Sequence, residues 1–107
     1  MSLQDYTERD WKLFKSRIAD WQERHMDRLN HEYVELLNGD GAPSEKFWTL
    51  EKRVREDKRS ASVRVEMSRS MLVHNMASLY VEGVIAEDDL DGFSEFLDKR
   101  LDIHNSV

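Results

Sequence analysis

The stretch EGVIAEDDLDGFSEFLDKRL carries the densest set of candidate ligands in the chain. Counted from Glu87, acids fall at places one, three, five and twelve (Glu87, Asp89, Asp91 and Asp98), with Gly92 at place six. An EF-hand calcium loop uses side-chain oxygens at those places and glycine at six for its sharp turn. Three features argue against calcium. Place one is Glu, place twelve is the shorter Asp, and place eight is Ser94. Leu90, Phe93, Phe96 or Leu97, and Leu101 recur at helical spacing through the same segment. The spacing therefore predicts a helix, with Glu87, Asp88, Asp89 and Asp91 at its N-terminus, where the macrodipole favours each acid by roughly 0.3–1 kcal/mol. Gly92 is then the misfit, costing about 1 kcal/mol in a helix interior, so Gly92→Ala is expected to be tolerated or stabilising.

Other constellations are weaker as chemistry. Asp27, His31 and Glu35 stand at four-residue steps on one helix face, but HEYVE lacks the second histidine of a zinc-protease HExxH, and an exposed ion-pair row is expected. His74 lies in MLVHNMASLY and reads as a core or boundary histidine; neither it nor His25 or His104 has a nucleophile at a recognisable spacing. No catalytic, cofactor-binding or metal residue is assigned, and enzyme activity is not expected. The basic segment 52–69 is the candidate partner surface, through Lys52, Arg53, Arg55, Arg59, Arg64 and Arg69, with Phe47 and Trp48 just before it. Basic residues near aromatics can hold phosphates and stack on bases, which makes nucleic acid the alternative partner. Against this, Glu51–Arg55, Lys52–Glu56 and Arg53–Asp57 are opposite charges four apart, a pattern that neutralises itself along an exposed helix.

These residues must be positioned by helices. Charged residues make up 36% of the 107, and one proline and four glycines leave few places to turn. Helix one is expected from an N-cap at Thr7 to Asn38, with one stripe through Trp11, Phe14, Ile18, Trp21, Met26, Leu29, Tyr33 and Leu36 or Leu37. NGDGAPS ends it: Gly39 or Gly41 takes the left-handed cap, Pro43 blocks continuation, and Ser44 caps the next helix. Helix two is expected to run to about Lys58, burying Phe47 or Trp48, Leu50 and Val54. After a connection through VRVEM, helix three covers about 65–82 with Met67, Leu72, Met76, Leu79 and Tyr80 inward, Gly83 capping it, and helix four follows to Leu101.

The expectation is an all-α bundle of four main helices with a long N-terminal helix, forming a single helical domain over residues 1–107. A helix of about 32 residues is about 48 Å long, longer than a compact domain of this size is wide. Helix one must then kink, lie in an elongated bundle, or overhang its neighbours. An overhanging stripe invites a homodimer, with Trp11, Phe14 and Trp21 serving as dimer seam or core.

The net charge of -6 is uneven: 6 basic and 9 acidic groups in residues 1–43, 8 and 5 in 44–70, and 2 and 8 in 71–107. The chain has no cysteine, which suits the cytoplasm, and no apolar run long enough to span a bilayer. The blocks RDWKLFKSRIADWQERHMDRLN, NGDGAPSEKFWTLEKRVREDKR and LDGFSEFLDKRL together resemble a group of small bacterial proteins of about a hundred residues. Some of these go by the name "multidrug transporter". The resemblance implies a small soluble bacterial protein; the transporter name conflicts with the lack of any spanning segment. Function is expected to be non-enzymatic interaction or regulation, with a protein partner or a second copy. A small-molecule-binding bundle is the further alternative, which a deep apolar pocket would favour.

Overall fold

The computed structural model describes residues 6–60, 63–95, 97–99 and 101. Helix α1 (Glu8–Asn38) begins with a reciprocal cap: the Thr7 N–H donates to Asp10 Oδ2 at 2.8 Å, and the Asp10 N–H donates to Thr7 Oγ1 at 3.1 Å. Its 31 residues are unbroken, which makes it about 46 Å long. Gly39 caps it in an extended conformation, while Gly41, at φ +134°, makes the turn. Helix α2 (Pro43–Arg59) then opens on Pro43 itself, whose fixed φ and missing N–H suit a first helical position. Its N-cap is therefore Ala42, not Ser44, and no side chain caps it.

Residues 63–68 are irregular and lead into a 3-10 turn at Arg69–Met71 and helix α3 (Leu72–Val81). The third helix is thus shorter than the spacing suggested, and Met67 lies outside it, 47% exposed. Gly83, at φ +78°, closes α3 as expected: its N–H donates to the Tyr80 carbonyl, and the Val84 N–H reaches back to Leu79. Both Val84 and Leu79 are buried, so the apolar clasp of that motif is present.

The expected continuous fourth helix is broken. A 3-10 turn spans Glu87–Leu90, Gly92 takes φ +92°, and helical residues resume at 95, 97–99 and 101. The apolar spacing survives because Phe93, Leu97 and Leu101 still face inward, which is why it read as one helix.

One core joins the first half of α1 to buried side chains between Leu72 and Leu101. Trp11, Phe14, Ile18 and Trp21 pack with Leu72, Met76, Leu79, Val84, Ile85, Phe93, Leu97 and Leu101. The aromatics form a chain, Trp11 to Phe14 to Trp21 to Phe93, with centroids 6.1–6.3 Å apart. At the edge of this head, buried Asp10 also accepts from the Ser94 N–H at 2.8 Å and Ser94 Oγ at 2.6 Å. That carboxylate ties the start of α1 to the start of the last helical turns.

Among the described residues α2 adds nothing to this core and buries no side chain. It lies against the second half of α1 as a two-helix arm projecting from the head. The molecule accordingly measures 60 × 27 × 21 Å, with a radius of gyration of 16.7 Å. A compact chain of this length would have about 13 Å. The class is all-α, and elongation resolves the length of helix one.

Candidate functional site

Arginines of α1 hold the acidic loop. Arg17, Arg24 and Arg28 recur at steps of seven and four along one face of α1. Arg17 donates to the carbonyls of Asp91 (2.6 Å) and Asp89 (3.2 Å). Arg24 forks onto the Asp89 carboxylate at 2.9 and 3.1 Å and also reaches the Val84 carbonyl. Arg28 donates to the Gly83 carbonyl at 3.0 Å. Burial pushes the Asp89 carboxyl up, but the Arg24 hydrogen bond, the Ala86 N–H and the charges of Arg24 and Arg17 outweigh it and hold Asp89 below the usual range. A depression about 690 Å³ in volume opens beside this loop, lined by acids including Glu87, Asp88 and Asp91. Among the described residues, no three His, Asp or Glu side chains converge as metal ligands. The 7-4 spacing of the three arginines was legible in the sequence and marks the strap that reading the acids alone missed.

The histidine row is exposed. His31 Nδ1 lies 2.8 Å from the Asp27 carbonyl and 3.8 Å from its carboxylate, and these two contacts, in that order, raise its pKa. His74 is exposed on α3 rather than at a core boundary. His104 lies outside the described residues.

The six basic candidates do not form one patch. Arg55 pairs with Glu51 at 2.5 Å. Arg53 sits 3.7 Å from Glu32 and 4.0 Å from Asp57, and covers the Tyr33 ring at 5.8 Å. Tyr33 donates a short hydrogen bond to Asp57; burial, then that bond, pushes its hydroxyl up to about 12. Arg69 is on the head, forked onto Glu8 at 2.8 and 3.1 Å and stacked 5.6 Å from Trp11. Glu8 and Glu32 are 24 residues apart on α1, which separates Arg53 from Arg69 by about 36 Å. Lys52, Arg59 and Arg64 are exposed. Three of the six arginine and lysine charges are thus committed to carboxylates, and the set is spread along the length of the molecule.

Trp11, Phe14 and Trp21 lie in the head core at 6%, 0% and 4% exposure, so they cannot also line a seam between subunits. The exposed aromatics are elsewhere. Phe47 and Trp48 on α2, of which the spacing predicts one or both inward, are instead 62% and 64% exposed and meet edge to face at 4.9 Å. Beside Phe47 run shallow apolar grooves that share residues end to end. Leu37, Pro43, Phe47 and Leu50 line one of about 470 Å³; Phe47, Leu50 and Val54 line the next, about 350 Å³; Val54, Met26, Leu29 and Val63 line a third, about 200 Å³. The arm therefore presents one continuous apolar face, edged by Lys46, Glu51, Arg55 and Lys58.

No family model, curated protein or solved structure matches the chain. Among the described residues, no helix is long and apolar enough to cross a membrane.

Proposed function

We propose that the protein is a non-enzymatic helical interaction module that works through its projecting arm. One observation carries the reading: among the described residues α2 buries no side chain, yet it presents Phe47, 62% exposed, on an apolar face. A helix in a globular protein owes most of its stability to packing an apolar stripe. Here the stripe Pro43, Phe47, Leu50 and Val54 has the right period and is only partly covered among the described residues, with Pro43 and Phe47 exposed and Leu50 and Val54 half-buried. Contiguous exposed apolar surface rimmed by charge is typical of an interaction site. The self-paired arginines and the spread of the basic set give the nucleic-acid reading less support than the arm.

Photo-crosslinking in cells tests this. A photoreactive phenylalanine analogue replaces Phe47 in one strain and Val81, 65% exposed on the head, in another. Specific adducts from position 47 and not from 81 are expected. Adducts from 81 alone, or from neither position, would overturn the proposal.

A further inference from the structure

Resting on that reading of the arm, we infer that its occupant is a second copy of this chain. Two arms pack face to face and antiparallel about a two-fold axis, completing a four-helix bundle with a head at each end. Three observations converge on this.

The shape is that of half a bundle. Two packed helices bury only the contact between them, whereas two such pairs face to face enclose a common core. The apolar face left on the arm runs from exposed Leu37 and Phe47 through half-buried Leu50 and Val54 to half-buried Met26, so both helices contribute to it.

The area is sufficient. Helix α2, with 17 residues, is about 25 Å long, and two packed helices are about 20 Å wide, giving a footprint of about 500 Å² per copy. Covering that footprint on both copies buries about 1,000 Å², the lower bound for a biological interface.

The charge pattern is self-complementary in one orientation. The turn end of the arm, residues 38–51, has three acids and one base, net −2; the remainder of α2, residues 52–59, has five bases and two acids, net +3. A parallel arrangement sets like ends together. An antiparallel one, with its axis near Leu50, places Phe47 of one copy over Val54 of the other and Asp40 toward the other copy's Lys58 and Arg59. Like-charge juxtaposition across an interface is costly, so the antiparallel form is selected.

The chain has no cysteine, so introduced thiols report contacts cleanly. Under mild oxidation Leu50→Cys is expected to give a disulfide-linked dimer and Val81→Cys is not. In a mixture, Phe47→Cys and Val54→Cys should link to each other in preference to themselves. By sedimentation equilibrium the wild type should have twice the 12.7 kDa chain mass at micromolar concentration. Phe47→Glu should weaken that association at least about thirty-fold, as expected for loss of a central aromatic anchor. Its near-ultraviolet circular dichroism should keep the signal of buried Trp11 and Trp21, showing that the head remains folded. A wild type that stays at 12.7 kDa at high concentration, or cysteines that link as readily at 81 as at 50, overturns the dimer. The two failures separate: a foreign protein crosslinked from position 47 leaves the arm as an interaction surface with a different occupant, and no adduct at all removes both readings.

Discussion

At Gly92 the backbone sits at φ +92°, and a Cβ built there would lie 3.2 Å from Leu13 Cδ2. Strain and crowding act together, so Gly92→Ala is expected to destabilise the fold by about 1–2 kcal/mol, read as a lower urea midpoint. This is opposite in sign to what a continuous helix requires. The reason lies in Arg17 and Arg24. Their hydrogen bonds to Asp89 and Asp91 hold the chain in a turn that the apolar spacing of Leu90, Phe93, Leu97 and Leu101 does not disclose. Periodicity records which side chains face the core, and a turn that keeps them inward leaves it unchanged. The acids, read from the sequence as a helix N-terminus, stand instead in and beside a short turn, where Arg24 holds the Asp89 carboxylate.

At the scale of the element, α1 and α2 bear similar amphipathic stripes with different fates. Two caps were readable, Thr7 with Asp10 and Gly83 with Val84; the NGDGAPS turn falls where expected, but with Gly39 extended and Ala42 in place of Ser44 as the N-cap of α2. What covers a stripe is a long-range fact, and for Phe47 and Trp48 the described chain supplies no cover. The contrast can be measured. Phe14→Ala should cost about 3–5 kcal/mol, since it empties a fully buried site between two tryptophans. Trp48→Ala, measured in a chain kept monomeric by Phe47→Glu, should change stability by less than about 0.5 kcal/mol, as expected for exposed positions. Denaturant melts of both variants check this, and a large loss at Trp48 would mean that α2 is covered within its own chain. The candidate surface shifted for the same reason. The bases of 52–69 were visible in the sequence, but their partners Glu8 and Glu32 lie far away along it.

At the scale of the molecule, an unbroken α1 shared by head and arm fixes the two at one spacing. Small-angle scattering of the Phe47→Glu chain should return a radius of gyration near 16.7 Å; a value near 13 Å would mean that the arm folds back onto the head. The same helix imposes an order of events as the chain is made. The aromatic run Trp11, Phe14, Ile18 and Trp21 emerges early, but Leu72, Met76, Leu79 and Phe93, which cover it, come from the other end, and the Asp10–Ser94 contact joins residues 84 apart. The arm, whose contacts are local, can form while that run is still bare. During synthesis, then, the surface most in need of shelter is not the one left open at the end. Once residues up to about 60 are clear of the ribosome and the rest are not, the future core faces water, the state in which such chains engage chaperones or aggregate.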